Sequence, residues 1–195
     1  MKKLLISFVL FVLVLQVSVS FADNYDDALK AANLGDYKKA YHLWLVDAEK
    51  GSAVAQRNVG LMYEDGLGVP QEARKAVRWY RLAAEQGEKL SQYYLALMLE
   101  EGEGVPRDYK EAVWWYRLSA MKGYVKAQYR LGLMYLKGYG VSQSSEIAYA
   151  WWSVAASKGH EKAIKYKNSA QEQMTADQIA KAQQIAKQLW QELGN

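Results

Sequence analysis

A short glycine-containing segment recurs at a fixed interval along the chain. Its three copies are EDGLGVPQ at 64–71, EEGEGVPR at 100–107 and LKGYGVSQ at 136–143, so each copy begins 36 residues after the one before. The similarity extends further, because residues 72–107 and 108–143 are identical at 16 of 36 positions without a gap. A period of this size is typical of solenoid proteins, in which each repeat is one supersecondary unit that stacks on its neighbours.

The spacing of apolar and small residues inside one repeat predicts two helices. In KAVRWYRLAAEQG these residues follow the i, i+3, i+4, i+7 pattern that places them on one face of an α-helix, namely Ala76, Trp79, Tyr80, Ala83 and Ala84. In AVAQRNVGLMYEDG the same pattern places Ala55, Val59 and Tyr63 on one face. We therefore predict an all-α fold, a solenoid built from helical hairpins.

The paired glycines of EDGLGVPQ raise the question of a phosphate-binding loop. The dinucleotide-binding fingerprint requires a third glycine three residues after the second, in a loop between a strand and a helix. Gln71 occupies that position, and the chain has no Gly-Lys-Ser/Thr sequence. We therefore predict that Gly66 ends a helix, that Gly68 forms the turn, and that the chain binds no cofactor.

The repeats resemble Sel-1-like repeats, which are relatives of the tetratricopeptide repeat. The resemblance rests on the pattern A-x-A-Q-x-x-L-G-x-x-Y-x-x-G-x-G-V-P-x-D/E-x-x-K-A-x-x-W-Y-x-x-A-A-x-x-G, which residues 53–87 follow almost completely. The copies at 89–123 and 125–159 depart from it in a few columns, for example at Ser142, where the pattern has proline.

This resemblance implies a right-handed superhelix of helical hairpins that binds other proteins, and it implies no common catalytic chemistry. On the same basis, residues 23–195 divide into five segments. They are an N-terminal capping hairpin at 23–52, Sel-1-like repeats at 53–88, 89–124 and 125–160, and C-terminal capping helices at 161–195.

The last segment of the chain predicts a helix of its own. Thr175 and Gln178 have the spacing of a capping box. The apolar residues that follow form one helical stripe, which comprises Ile179, Ala182, Ile185, Ala186, Leu189, Trp190 and Leu193. One interpretation is a lid helix folded over the last repeat, since terminal repeats need a polar outer face. The other is a helix that binds a partner or a second copy, and we expect a monomer or a weak dimer.

Residues 1–22 have the pattern of a secretory signal peptide. Lys2 and Lys3 form a positive start, an apolar run extends from Leu4 to about Ser18, and small residues precede a cleavage site after Ala22. The alternative is an uncleaved anchor helix, but a run of about 15 residues is shorter than the roughly 20 that a membrane span needs. We predict a periplasmic or secreted protein with no stable membrane insertion after cleavage.

Charge and cysteine content narrow the functional classes. Loss of Lys2 and Lys3 with the signal peptide lowers the formal net charge from +4 to +2, so the composition does not call for a nucleic-acid partner or an anionic membrane. The chain contains no cysteine. An exported form would therefore depend on packing instead of disulfides, and it would carry no lipid-modified cysteine.

The polar residues give little support for an enzyme. The repeat does not bring His42 and His160 together, whereas a metal site needs three or four close ligands. Acidic pairs recur at the ends of first helices, at Glu64–Asp65 and Glu100–Glu101. Glycoside hydrolysis needs two carboxylates that flank one bond, but stacked repeats would spread these acids along a ridge. The remaining alternatives are solvated helix ends or an acidic patch for a basic partner, and we predict no catalytic or metal site.

The resemblance also implies where a partner binds, because in such stacks the first helix of each hairpin lines the concave face. The partner contacts that it implies are Arg57, Leu61, Glu64, Tyr93, Leu97, Glu100, Glu101, Tyr129, Leu133 and Lys137. Tyrosine and arginine are enriched at binding hot spots, whereas the leucines, and also the tyrosines, could instead be core between neighbouring helices. The leading hypothesis is a non-enzymatic adaptor that binds another protein or a peptide segment, with roles in envelope signalling, assembly or host contact.

Two other functions stay open on the sequence alone. Trp79, Trp115 and Trp151 share one column and are expected in the core, whereas Trp114 breaks the pattern and is the best candidate for an exposed aromatic. An exposed tryptophan of this kind could stack on peptidoglycan or another glycan. The weaker alternative is an enzyme, such as a cell-wall hydrolase or a β-lactamase; the family members linked to that activity are cysteine-rich, unlike this chain.

Overall fold

The computed structural model describes residues 24–194, and every regular element in that range is an α-helix. Residues 24–33 are helical and form α1. The helices that follow are α2 (Tyr37–Glu49), α3 (Ala53–Asp65), α4 (Ala73–Glu85), α5 (Lys89–Glu101), α6 (Tyr109–Met121), α7 (Val125–Lys137), α8 (Ser145–Ser157), α9 (Glu161–Gln173) and α10 (Ala176–Glu192). The all-α prediction is confirmed, and the predicted signal peptide lies outside the described residues.

The chain forms two compact units, and the boundary between them falls within α4. The first unit ends at Ala83 and the second begins at Ala84. In the first unit α2 packs against α3; in the second, each helix from α5 to α9 packs against the next, and α10 packs against α8. Among residues 24–194, no helix is both long and apolar enough to cross a membrane.

Local sequence sets where the helices start and stop. The Ser52 side chain caps the start of α3 by accepting a hydrogen bond from the backbone N–H of Ala55. The Glu88 carboxylate caps the start of α5 by accepting one from the backbone N–H of Ser91. Gly66 follows the last residue of α3 with φ of 70°, the left-handed conformation that glycine adopts at low cost. The predicted helix end at Gly66 is therefore confirmed.

In two of the three glycine-containing segments, the second glycine is required by a close backbone contact. Gly68 lies against the start of α2, so close that a Cβ atom on it would overlap the carbonyl group of Tyr37. Gly140 lies in the same way against the carbonyl group of Tyr109 at the start of α6. The turn thus packs one hairpin against the backbone of the hairpin before it, and this contact has no room for a side chain.

A buried glutamine at the same position of each repeat joins consecutive hairpins. The Nε2 atoms of Gln56, Gln92 and Gln128 donate to the carbonyl oxygens of Ala48, Ala84 and Ala120 at 3.1, 3.2 and 3.1 Å, respectively. Each acceptor lies near the end of the second helix of the preceding hairpin, and it also accepts a hydrogen bond from the backbone N–H of the glycine that follows the helix, Gly51, Gly87 or Gly123. The Gln column therefore adds a second donor to a carbonyl oxygen at each of these helix ends.

The core alternates large rings with small residues, so that each ring lies opposite a residue that leaves room for it. Tyr80 packs opposite Gly60 in the first unit, and Trp152 packs opposite Gly132 in the second. Both rings are fully buried. Trp115 and Trp151 are buried as expected, whereas Trp79 is half-buried.

The C-terminal helix packs along α8, as the lid interpretation predicts. Both hydrogen bonds of the capping box are present between Thr175 and Gln178. Ala182 and Ala186 are buried in the contact. Beside it lies a mostly apolar cavity of about 300 Å³ lined by Arg117, Met121, Tyr135, Ile147, Trp151, Ile185, Leu189 and Glu192.

Candidate protein-binding site

Three of the predicted partner contacts lie on α3 in the first unit, and all three are half-buried. The guanidinium group of Arg57 donates to Oδ1 of Asn58, with Nε at 3.4 Å and Nη2 at 3.2 Å. The carboxylate of Glu64 accepts a hydrogen bond from the hydroxyl group of Tyr80, and Leu61 lies between the two positions along the helix. The Glu64 side chain is therefore engaged inside its own hairpin.

Glu100 occupies the corresponding position on α5 in the second unit and is held from two sides. The Tyr116 hydroxyl group donates to its Oε2 atom at 2.6 Å, and Nη1 of Arg130 lies 3.3 Å from its Oε1 atom. Burial, reinforced by the neighbouring carboxylate, raises the pKa of Tyr116 far above its ordinary value. The hydroxyl group thus stays protonated and remains a donor.

This arrangement changes the interpretation of the acidic pairs. Glu64 and Glu100 each join the two helices of one hairpin, so they are neither simply solvated helix ends nor a free acidic patch. Asp65 and Glu101, the second members of the pairs, are exposed. The role of Glu64, Glu100 and Glu101 as partner contacts stays a prediction.

Tyr93 is mostly buried, contrary to the expectation of an exposed column. Only 8% of it is accessible. Its ring packs against those of Tyr94, Tyr116 and Tyr124, with centroids 5.6, 5.8 and 5.0 Å away. The sequence could not anticipate this burial because Tyr124, at the turn before α7, lies outside the columns that were assigned to the face.

Tyr93 and Tyr129 nevertheless meet at one open cleft in the second unit. This basic cleft has a volume of about 580 Å³ and is lined by Tyr93, Lys126, Tyr129, Arg130, Gly159, His160, Glu161 and Lys162. Its walls come from α5, α7 and the start of α9. The volume falls within the roughly 300–1,000 Å³ that is usual for binding pockets.

The aromatic wall of the basic cleft is held in place by the start of α9. Nδ1 of His160 accepts a hydrogen bond from the backbone N–H of Ala163 at 3.1 Å, which caps the helix. The imidazole ring stacks on Tyr129, with a centroid distance of 4.8 Å and an interplanar angle of 26°. Because Nδ1 is the acceptor, Nε2 carries the proton of the neutral ring.

The electrostatics of the basic cleft are shaped by its lysines. Burial is the main cause that lowers the pKa of His160, and the charges of Lys162 and Lys126 lower it further, whereas the backbone hydrogen bond to the ring and the charge of Glu161 act in the opposite direction. Burial and the neighbouring Tyr166 raise the pKa of Tyr129. Lys126 and Lys162 are both exposed. The cleft therefore combines fixed rings with accessible positive charge.

The other predicted contacts do not line this cleft. Leu97 and Leu133 are half-buried, like Leu61, so they are neither fully core nor fully exposed. Lys137 is exposed and lies 5.4 Å from the ring centroid of Tyr139. The structure brings together two of the ten predicted contacts, and it adds neighbours that the sequence did not single out.

The repeat register could have identified two of these additional neighbours, Lys162 and His160. Lys162 lies 36 residues after Lys126, so extension of the register by one further repeat would have placed the two lysines in one column. His160 follows in the same way from Tyr124. The decay of the pattern after residue 160 concealed this continuation. Within residues 24–194, no group of three or more His, Cys, Asp or Glu side chains is placed to hold a metal ion.

Comparison with known families accounts for this architecture. The model of the Sel1 repeat matches three successive segments of the chain, at 53–88, 89–124 and 125–160. The chain belongs to the Sel1 repeat family. Sel1 repeats are generally protein–protein interaction modules, and the fold is typically a non-catalytic scaffold.

Two solved structures of Sel1 repeat proteins resemble this one. A protective antigen present in uropathogenic Escherichia coli strains, which displays an SLR fold, has 32% sequence identity and a TM-score of 0.79 over 87% of this chain. A Sel1 repeat protein from Oxalobacter formigenes has 31% identity and a TM-score of 0.68 over 71% of this chain. This Sel1 repeat chain spans 38% of the first protein and 57% of the second. No curated protein sequence matches it.

Proposed function

We propose that this Sel1 repeat chain is an exported, non-enzymatic adaptor that binds a protein or peptide partner at the basic cleft. The observation that carries the proposal is the meeting of Tyr93 and Tyr129, two contacts expected from the repeat pattern, at one open cleft. Aromatic residues that are held rigidly make good anchors for a partner because little conformational entropy is lost when they bind. The family's general role in protein binding supports the same conclusion.

Site-specific photo-crosslinking in intact cells tests this function. We would place a photo-reactive amino acid at Glu161, which is exposed and lines the cleft, and at Lys110, which is exposed on α6 outside it. We expect one dominant protein from position 161 and none from position 110, and the purified product should rebind the adaptor in titration calorimetry. Equal capture from both positions, or a product that fails to rebind, would refute an adaptor that works through this cleft.

Export is a separate part of the proposal and rests on the pattern of residues 1–22. Cell fractionation followed by mass spectrometry of the purified chain tests it. We expect an envelope or secreted form that begins at Asp23, whereas a cytoplasmic full-length form would contradict export without affecting the binding proposal.

A glycan-binding function is the second candidate, and one observation favours it. Trp114 on α6 is 53% exposed and contacts the ring of Trp115 edge-on, with centroids 4.2 Å apart. A fixed, exposed indole is a suitable platform for a sugar ring. If this candidate is correct, peptidoglycan fragments will change the tryptophan fluorescence of the native chain but not that of Trp114→Ala.

A further inference from the structure

We propose that the partner presents an acidic peptide segment to the basic cleft, with Lys126 and Lys162 binding its carboxylates and Tyr129 packing against the chain between them. This inference rests on the proposed adaptor function and adds the chemistry of the partner. It follows from the charges at the cleft, from the rigidity of its rings and from the size of the charged area.

The balance of charge at the cleft favours an anion. Three of the residues that line it are basic, namely Lys126, Arg130 and Lys162, and Glu161 is the acidic one. The Arg130 charge is partly neutralised by Glu100, 3.3 Å away, so Arg130 acts mainly as part of the wall. Lys126 and Lys162 remain as exposed ammonium groups on two different helices, α7 and α9.

Both lysines lie near enough to one point to influence the same group. Their charges each lower the pKa of His160, which is itself a lining residue. The start of α9 adds its own positive potential, because the backbone N–H groups of the first turn point toward the helix N-terminus. A carboxylate in the cleft would therefore be attracted from several directions at once.

The aromatic wall favours a peptide over a bare anion. The stack on His160 fixes the half-buried ring of Tyr129, whereas Tyr93 is 8% accessible and offers little surface of its own. A ring held like that of Tyr129 contributes apolar contact area that an inorganic anion cannot use. A segment that alternates acidic and apolar side chains would use both the lysines and the rings.

The size of the charged area argues against nucleic acid. Nucleic-acid binders present a basic patch or stripe that neutralises many phosphates. Here the formal net charge without Lys2 and Lys3 is +2, and the basic cleft offers two exposed lysines. Two or three charge contacts suit a short acidic segment better than a polyphosphate backbone.

Fluorescence anisotropy with a defined probe tests the proposal on the mature chain. The probe is the fluorescein-labelled peptide Asp-Glu-Phe-Glu-Asp, and its neutral analogue Asn-Gln-Phe-Gln-Asn is the first control. We expect the acidic peptide to bind at least about tenfold more tightly than the analogue, and its affinity to fall as NaCl rises from 0.05 to 0.5 M. Equal affinity for the two peptides would overturn the proposal.

Charge-reversed variants locate the site. The double variant Lys126→Glu/Lys162→Glu should lose about tenfold or more in affinity for the acidic peptide, whereas Lys187→Glu on α10 should bind as the native chain does. All three positions are exposed, so the variants should fold, and circular dichroism verifies this. Equal losses in the double variant and in Lys187→Glu would place the binding elsewhere and refute the assignment.

Two further outcomes separate the alternatives. A labelled 12-nucleotide RNA that binds more tightly than the acidic peptide and depends on the same lysines would replace the peptide with nucleic acid as the partner class. Capture of a protein from position 161 that rebinds the adaptor, with no preference for the acidic peptide, would leave the adaptor function standing and refute the acidic partner. If no protein is captured at the cleft and the acidic peptide shows no preference over its neutral analogue, both the adaptor function and the acidic partner are refuted.

Discussion

Replacement of Tyr116 by phenylalanine tests whether the hydrogen bond to Glu100 stabilises the second unit. The substitution removes one oxygen atom and leaves the buried ring in place. The lost bond is short, at 2.6 Å, and its acceptor is a carboxylate. Hydrogen bonds to charged groups contribute about 1.5–3 kcal/mol to stability, against about 0.5–1.5 kcal/mol for neutral ones. We therefore expect Tyr116→Phe to lower the free energy of unfolding by about 2 kcal/mol.

Tyr149→Phe is the matched control within the same unit. Tyr149 is also buried on a second helix, but its hydroxyl group donates to the neutral Oε1 atom of Gln171 at 3.4 Å. A bond this long and uncharged contributes little, so we expect a loss of about 0.5 kcal/mol or less. Urea unfolding followed by far-UV circular dichroism measures both losses. If the two variants lose the same stability, the carboxylate does not strengthen the bond and the reasoning fails.

The same hydroxyl group makes stability depend on alkaline pH. The folded state raises the pKa of Tyr116, so above a pH of about 10 the unfolded chain releases this proton while the folded chain keeps it. Stability is therefore fully present below that pH and is lost as the pH rises, by up to about 1.4 kcal/mol per pH unit for one group. Unfolding measured between pH 9 and 11 should show a shallower loss for Tyr116→Phe, and parallel profiles would contradict the assignment.

Three further predictions concern the turns, the last helix and the basic cleft. Gly138→Ala should lower the free energy of unfolding by about 1–2 kcal/mol because the residue has φ of 68°. Gly140→Ala should lower it by at least about 1 kcal/mol more because its Cβ would also overlap the Tyr109 carbonyl group. Equal losses of stability in thermal unfolding would contradict the close contact. Deletion of residues 175–195 should expose the face of α8 and produce aggregates in light scattering, and a soluble, equally stable truncation would mean that α10 is not a lid. Acidic-peptide affinity should increase as the pH falls from 7.5 to 6, since a bound carboxylate raises the lowered pKa of His160, and His160→Asn should remove this dependence.

The fold could be predicted from the sequence because the repeat displays the same physical requirement several times. A glycine that must adopt positive φ, a small residue opposite a ring and a fixed apolar stripe each recur at the 36-residue interval. Gly66 illustrates this, since its role as a helix end followed from its place between two periodic segments and is confirmed by its φ of 70°. Repetition separates these requirements from chance in a way that one copy would not.

The hydrogen bond between Tyr116 and Glu100 could not be predicted from either repeat position considered alone. A carboxylate at the end of a helix usually has a solvated explanation, and a tyrosine on an apolar stripe usually has a core explanation. The signal lies in their joint replacement, because the third repeat has Leu136 in the glutamate column and Trp152 in the tyrosine column. Trp152 instead donates from Nε1 to the carbonyl oxygen of Tyr129 at 3.2 Å.

The basic cleft was missed for a different reason. It forms where the third matched repeat meets α9, which begins after the cleft residue His160, carries the cleft residue Lys162, and has lost most of the repeat pattern. Comparison of equivalent repeat positions predicts little where the sequence pattern is lost, although the helices continue to stack in the same way there. The chemistry of the cleft therefore depends on residues that the periodicity describes least well.

The contact between each glycine turn and the preceding hairpin has an evolutionary consequence. Gly68 and Gly140 meet carbonyl groups of the backbone, so the spacing between hairpins does not depend on which side chains Tyr37 and Tyr109 carry. Gene duplication could insert or remove a whole 36-residue copy and still recreate the same joint. Residues such as Lys126 and Lys162 are then free to diversify, and a lineage could exchange one partner for another while the joints between its hairpins stay unchanged.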